Sequence, residues 1–227
     1  MYRALYRRAL TAACMLSMLT ATSALAAAAP TTPELMLTWS TDSFVPATYP
    51  GARLPTKGSG IAVAAQLIDN QKLMPIGDAT VQWYINDSQA GSGVGLSTLT
   101  FNTDDFSARS GLYDIQAIVR GYGEKQISAR VLLPRTSPLL IITTPLPGRS
   151  VVLSGTVITA LPYFFNAASL SDLSFTWEAA GARQTSTGNT LTFAAPNQRS
   201  GGQITITAIA AMPDRTRAIS SITTPAY

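Results

Sequence analysis

Hydrophobic and polar residues alternate along several short stretches of the chain. Val81, Trp83 and Ile85 occupy every second position of one stretch, and Ile204 and Ile206 do so in another. A two-residue period places such side chains on one face of a β-strand. Clusters of Gly, Pro, Asn and Asp separate the stretches at intervals of about 8 to 12 residues, as in antiparallel sandwiches. The pattern predicts an all-β protein.

The same pattern occurs twice, about 92 to 94 residues apart. Residues 97–101 read STLTF and residues 189–193 read NTLTF. Trp83 precedes the first phrase and Trp177 the second, and an Ile-x-Ala strand follows each. We therefore expect two sandwiches, each with an indole between two sheets about 10 Å apart. The Gly/Ser-rich stretch 90–95 is expected to be a loop, and the irregular segment 42–60 to cross between the sheets.

The N-terminus has the features of a secretory signal peptide, which we assign to residues 1–28. Met1–Arg8 carries three arginines, Ala9–Leu19 is apolar and uncharged, and small residues follow at the spacing of a cleavage site. A membrane anchor and lipidation at Cys14 are the competing interpretations. The apolar stretch is short for a span of about 20 residues. We expect no transmembrane anchor in the mature chain.

Removal of this leader changes the charge balance. The full chain has 16 basic and 12 acidic residues, and the three leader arginines account for most of the excess. The remaining 13 basic and 12 acidic residues give no basic stripe, so we expect no nucleic-acid partner. The single cysteine is also in the leader, so the mature chain has no disulfide. Its stability must come from packed cores.

Several of these stretches resemble a known class of module. Trp83, the stretch Ser92–Phe101 and the G-x-Y-x-I-x-A strand Gly111–Ala117 resemble polycystic-kidney-disease-type and bacterial immunoglobulin-like modules of secreted proteins. The whole chain also resembles secreted bacterial proteins with two such domains. The resemblance implies two tandem immunoglobulin-like β-sandwich domains, at residues 33–134 and 138–227. Pro134 and Pro138 fit a short, stiff connector there.

The residue inventory excludes most catalytic chemistry. The chain has no histidine and no cysteine beyond the leader, which removes Ser-His-Asp and Cys-His catalysis and the usual zinc sites. Asp104 and Asp105 form an adjacent acidic pair, which we interpret as a turn, with a calcium site as the alternative. We predict no catalytic residue, no cofactor and no metal site, and the protein is not expected to be an enzyme.

Two aromatic groups are the candidate partner contacts. Phe44 and Tyr49, with Arg53 nearby, lie in the proline-rich segment, and loops at sandwich ends often carry recognition. Tyr163 and Phe164 belong to a run of three aromatic residues after a proline, so one ring must leave the inner face of its strand. The alternative for both groups is packing against the cores or the domain junction.

Three functions fit these observations. The first is a non-catalytic binding or spacer protein of the bacterial envelope, secreted, periplasmic or at the cell surface, whose partner is an envelope protein or glycan. The second is a subunit of an extracellular assembly, pilus or secretion-related, joined through exposed strand edges at Gln126–Val131 or Arg217–Thr223. The third is a carboxylate-dependent glycosidase, although no two acids are placed at a predictable separation.

Overall fold

In the computed structural model, the described residues are 32–123, 126–145, 152–186, 188–194 and 202–225. The predicted signal peptide, Cys14 and Lys125 lie outside these ranges. Within them the regular structure is β-strand, apart from one 3-10 turn at Leu170–Asp172. The all-β prediction is confirmed.

The strands follow the predicted two-residue alternation, and their inward side chains are buried. Their bounds are β1 (Glu34–Thr41), β2 (Gly60–Asp69), β3 (Lys72–Met74), β4 (Thr80–Ile85), β5 (Ser88–Val94), β6 (Thr98–Asn102), β7 (Leu112–Arg120), β8 (Ile127–Pro134), β9 (Leu139–Thr143), β10 (Val157–Tyr163), β11 (Ser174–Ala179), β12 (Ala182–Gln184), β13 (Thr190–Thr192), β14 (Gln203–Ala211) and β15 (Arg217–Pro225).

Strands β1–β8 form the first repeat and β9–β15 the second. In the first repeat, β2 pairs with β1 on one side and with β6 and β3 on the other, while the facing sheet has the order β5-β4-β7-β8. The second repeat has β13-β10-β9 facing β12-β11-β14-β15. All pairings are antiparallel. Both repeats are therefore immunoglobulin-like sandwiches with corresponding strand orders.

Trp83 and Trp177 occupy equivalent positions in the two repeats. Each is fully buried, and each pairs with the alanine of an Ile-x-Ala strand, Ala117 or Ala208. Each indole Nε1 also donates a hydrogen bond to a backbone carbonyl before the TLT strand, at 2.8 Å to Leu96 and at 3.3 Å to Gly188. The buried residues form two clusters, one around each indole. The domain limits 33–134 and 138–227 stay a prediction.

The Gly/Ser-rich stretch was wrongly expected to be a loop, because it forms β5. It pairs along β4, with an irregularity beside Trp83. A Cβ at Gly91 would lie 3.4 Å from a methyl carbon of Leu96, so the missing side chain leaves room for the leucine next to the indole. Glycine here serves close packing of the strand.

The expectation that segment 42–60 crosses between the sheets is also wrong. The strands on either side of it, β1 and β2, pair with each other in one sheet. The segment instead leaves the first repeat, contacts the second and returns. Both repeats belong to one compact unit, Pro33–Tyr227.

A buried tyrosine distinguishes the first repeat from the second. The Tyr113 hydroxyl donates a 3.0 Å hydrogen bond to the carbonyl of Thr103, which lies in the turn after β6. Burial raises the pKa of Tyr113 above its ordinary value of 10.0, and the nearby Arg135 opposes this shift. Ile204 stands at the equivalent position of β14, so the second repeat lacks this bond.

Candidate functional site

A short backbone pairing joins segment 42–60 to the second repeat. The amide of Phe44 donates to the carbonyl of Phe165 at 2.7 Å, and the amide of Phe164 donates to the carbonyl of Phe44 at 2.7 Å. The Phe44 ring is half-buried and packs against the core cluster that contains Trp177. Phe44 thus covers the end of the core of the second repeat, although it belongs to the first repeat by sequence.

The three aromatic residues after Pro162 point in different directions. Phe165 is fully buried in the second core, Phe164 is buried with 8% exposure, and Tyr163 is half-buried on the outer face of β10. Phe164 has φ +59°, a left-handed conformation that is costly for a bulky residue. The hydrogen bond from its amide to the carbonyl of Phe44 holds the backbone in this conformation.

Tyr49 meets the second aromatic group at this junction. Its ring makes edge-to-face contacts with Tyr163, at 5.6 Å between centroids, and with Phe164, at 5.7 Å. A Cβ at Gly51 would lie 2.6 Å from the Tyr49 hydroxyl, so the ring lies closely over that glycine. The structure thus brings together two groups that are more than one hundred residues apart in the sequence.

Arg53 does not join this aromatic cluster. Its side chain is exposed, and none of the ion pairs or aromatic contacts among the described residues includes it. Of the five residues predicted from the sequence, Phe44 and Phe164 are mainly structural parts of the junction. Tyr49 and Tyr163 retain partly exposed rings that a partner could contact.

Tyr163 also belongs to an apolar surface that the sequence analysis missed. On the outer face of the second repeat, Tyr163 pairs with Leu139 and Leu161 pairs with Ile141. Leu139 is 47% exposed and Ile141 is 40% exposed. The sequence signal was the run Leu139–Ile142, which is apolar at successive positions and therefore on both faces of its strand. We call these four paired residues the outer apolar face.

The first repeat does not have a continuous apolar surface at the same place. The register of β1 on β2 makes Glu34, Met36, Gln66 and Ile68 the equivalent residues. Met36 pairs with the polar Gln66, and Ile68 pairs with the charged Glu34. The two apolar residues are therefore only diagonal neighbours and do not form a paired apolar surface. The two repeats therefore differ in the side chains on this face although their strand orders correspond.

The two predicted strand edges lie where the hypothesis requires them. β8 pairs only with β7, and β15 pairs only with β14, so both are outer strands of four-stranded sheets. Arg130 on β8 forms an ion pair with Asp114 on β7, so its charge is already paired within the sheet. β1 lies beside β8, and β9 lies beside β15, which narrows the approach to both edges.

The acidic pair forms a turn, as predicted. The Asp105 carboxylate accepts a 2.9 Å hydrogen bond from the backbone amide of Asn102. The side-chain oxygen of Asn102 accepts another from the backbone amide of Asp104. In the described ranges, His, Cys, Asp and Glu do not form any group of three that could hold a metal ion. None of the described helical segments is long and apolar enough to span a membrane.

Comparison with known proteins gives structural similarities only. No protein-family model matches the chain, and no curated protein matches it significantly. Among solved structures, fibronectin(III)-like modules of Clostridium thermocellum CbhA are 16% identical, with a TM-score of 0.32, over 84% of this chain and 94% of theirs. Three N-terminal domains of the outer capsid protein Hoc of bacteriophage RB49 are 16% identical, with a TM-score of 0.44, over 85% of this chain and 58% of theirs.

The ectodomain of mouse nectin-like molecule 4, Ig1–Ig3, is 14% identical, with a TM-score of 0.34, over 87% of this chain and 65% of its own. The chain therefore spans less than two thirds of the length of the phage and mouse structures. At these identities and TM-scores the similarities carry no argument about function. The immunoglobulin-like fold rests on the strand order and the two cores described above.

Proposed function

We propose that the protein is a non-catalytic binding and spacer protein of the bacterial envelope, secreted or at the cell surface. The observation that supports this proposal is the outer apolar face, together with Tyr49 beside it. Leu139 and Ile141 are 47% and 40% exposed, and their partners Tyr163 and Leu161 are half-buried, so the face remains partly in contact with water. Apolar patches of this kind commonly mark interaction sites, and tyrosine is favoured in such interfaces.

The partner that this face suits is an envelope protein or a glycan. The face is built on two hydrogen-bonded strands, so its side chains keep fixed relative positions. Tyr49 is held at its side by Tyr163 and Phe164 and lies over Gly51. A preorganised surface loses little side-chain entropy when it binds.

Capture of partners from envelope extract tests the proposal. The protein is expressed in its host as wild type and as Ile141→Ser and Tyr163→Ser variants. Loss of a well-packed anchor at an interface weakens binding by about tenfold or more. Met36→Ser is the matched control, because Met36 is the first-repeat equivalent of Ile141 and is 42% exposed.

Captured proteins and glycans are identified by mass spectrometry, and their binding is then measured with purified components. We expect both face variants to lose the partner and the control to retain it. Equal retention by all three variants would remove the outer apolar face from the proposal. Turnover of any polysaccharide in the same assays would contradict the non-catalytic assignment.

The spacer role is supported by the junction between the repeats. Besides the Phe44 pairing, the amide of Thr136 in the connector donates to the carbonyl of Pro55 at 2.9 Å. The Phe44 pairing ties the two repeats to each other, and the Thr136 bond ties the connector to the first repeat, so both restrict bending at the connector. Small-angle scattering should fit a single rigid shape, and a broad ensemble of interdomain angles would contradict a rigid spacer.

The alternative function, assembly by strand addition, is favoured by one observation. β15 pairs only with β14, and its residue Ile219 is 52% exposed. A partner strand could continue this sheet. Concentration-dependent ladders on native gels that Ile219→Lys abolishes would support this alternative, because charge on an edge strand opposes pairing.

A further inference from the structure

A cleft at the connector gathers positive charge from three separate parts of the chain. Lys57 lies near the end of segment 42–60, Arg135 lies in the connector, Arg215 lies in the turn between β14 and β15, and Arg217 begins β15. The cleft has a volume of 510 Å³, within the range of small-ligand sites. Four of the 13 basic residues beyond the predicted leader therefore line one cavity.

These four cations have no ionic partners in the described part of the chain. The two ion pairs found there are Arg109–Asp87 and Arg130–Asp114. All four cationic side chains are exposed. A cleft lined by charges of one sign concentrates the field and attracts counter-ions of the opposite sign.

The neighbouring carboxylate is already engaged elsewhere. Asp214 accepts hydrogen bonds from the amide and hydroxyl of Thr216, at 2.8 and 2.9 Å. These bonds fix the turn that carries Arg215, which has φ +70°. Asp214 therefore shapes the wall of the cleft and is not among its lining residues.

Backbone hydrogen bonds hold the walls of the cleft together. The amide of Arg135 donates to the carbonyl of Gly111 at 2.8 Å, and the next amide, of Thr136, donates to the carbonyl of Pro55 at 2.9 Å. The turn of the second repeat is closed by the amide of Met212, which donates to the carbonyl of Thr216 at 2.8 Å. These bonds fix the backbone that carries Arg135, Arg215 and Arg217, and the turn that carries Lys57 is closed by the amide of Ser59, which donates to the carbonyl of Thr56 at 3.2 Å.

An unsatisfied polar atom lies in the wall of the cleft. Thr56 lines the cleft and is 1% exposed, and its side-chain oxygen Oγ1 is buried without a hydrogen-bond partner. Its backbone groups are both used, by Ser59 and by Thr103. A buried hydroxyl without a partner is costly, and ligands or water commonly satisfy such groups.

We propose that this cleft binds an acidic oligosaccharide through its carboxylate groups. Guanidinium groups form strong, directional hydrogen bonds with carboxylates. Thr136, Ser137 and Thr216 also line the cleft. The Thr136 and Thr216 hydroxyls donate within the protein, but their oxygens can still accept hydrogen bonds from the hydroxyls of a sugar. Among the described residues that line the cleft there is no aromatic ring for a nucleobase to stack on, which disfavours single-stranded nucleic acid. This inference goes beyond the proposed function, because it concerns a surface separate from the outer apolar face.

Titration calorimetry with a galacturonate trisaccharide at low salt tests the proposal. The protein is purified after expression of the complete sequence. The matched probes are a neutral galactose trisaccharide and a triglutamate peptide. We expect the acidic sugar to bind, the neutral sugar to fail, the peptide to bind more weakly, and added salt to weaken the binding.

Arg135→Gln and Arg217→Gln should each weaken binding of the acidic sugar by about tenfold, since each removes a charge-assisted hydrogen bond. Arg183→Gln is the matched control, because Arg183 is an exposed cation on β12, outside the cleft. Thr56→Val should leave thermal stability unchanged or raise it, since it removes a buried hydroxyl that lacks a partner in the free protein.

Three results would overturn the proposal. The first is equal binding of the neutral and acidic sugars. The second is equal loss of affinity in Arg135→Gln and Arg183→Gln. The third is tighter, cleft-dependent binding of the triglutamate peptide, which would assign the cleft to an acidic protein segment. None of these results depends on the outer apolar face, so the proposed function is tested separately.

Discussion

Replacement of Phe44 by alanine tests whether the excursion from the first repeat stabilises the second. The Phe44 ring is half-buried against the cluster around Trp177, although its chain neighbours belong to the first repeat. A fully buried Phe→Ala change costs about 3 to 5 kcal/mol, so half of that contact is worth about 2 kcal/mol. The backbone pairing with Phe165 does not need the ring and should remain.

Hydrogen exchange read by mass spectrometry locates this loss. A cost of about 2 kcal/mol corresponds to about thirtyfold faster exchange of amides that exchange when the second repeat opens. We expect this acceleration in peptides that cover β10 and β14, with little change in β4 and β7.

Phe106→Ala is the matched control. Phe106 is also a half-buried phenylalanine, but it packs against the first cluster, with its ring edge-to-face on Phe101. The control should accelerate exchange in the first repeat only. If Phe44→Ala gave the same map as Phe106→Ala, the excursion would belong energetically to the first repeat and our reasoning would be refuted.

Four further predictions concern the first repeat. Tyr113→Phe should lower the unfolding free energy by about 1 to 3 kcal/mol in urea titrations, because it leaves the buried carbonyl of Thr103 without its donor. The wild type should also lose folding stability as the pH rises above 10. Burial raises the pKa of Tyr113 in the folded protein, so the phenol of the unfolded chain ionises first. Tyr113→Phe should lose less stability over the same pH range. The hydrogen bond from Arg130 lowers the pKa of Asp114 below its ordinary value of 3.8. The ionised Asp114 therefore contributes to folding stability above about pH 3.8, and this contribution is lost as the pH falls through the lowered pKa. Asp114→Asn should therefore narrow the stability difference between about pH 7 and about pH 3 by at most about 1 kcal/mol, as the pair is at the surface. Trp83→Ala should cost about 3 to 5 kcal/mol by calorimetry, and a loss below about 1 kcal/mol would contradict its place in the core.

Local alternation was sufficient to predict the strands and the indole positions. The period of two at Val81, Trp83 and Ile85 depends only on neighbours in the sequence, and burial then selects the inner face. The repeated phrase indicated that Trp177 would hold an equivalent place, and the shared alanine pairing confirms it. The glycines of β5 misled this reasoning, because glycine is typical of loops but also permits close packing.

Contacts between the repeats could not be predicted in the same way. The pairing of Phe44 with Phe165 joins residues that no local period relates, and it replaces the crossing that we had expected of segment 42–60. Tyr49 and Tyr163 were both candidates, but nothing in their spacing indicated that their rings meet. The basic cleft was hidden for a related reason, since a balance of charges along the chain does not show which cations the fold brings together.

Site-specific photo-crosslinking in living cells tests the central claim most directly. A photoreactive phenylalanine analogue replaces Ile141 on the outer apolar face in one strain, and Met36 on the equivalent face of the first repeat in another. We predict that irradiation yields a defined adduct with an envelope component from position 141 and none from position 36. An adduct from position 36 alone, or none from position 141, would contradict the assignment of the outer apolar face as the binding surface.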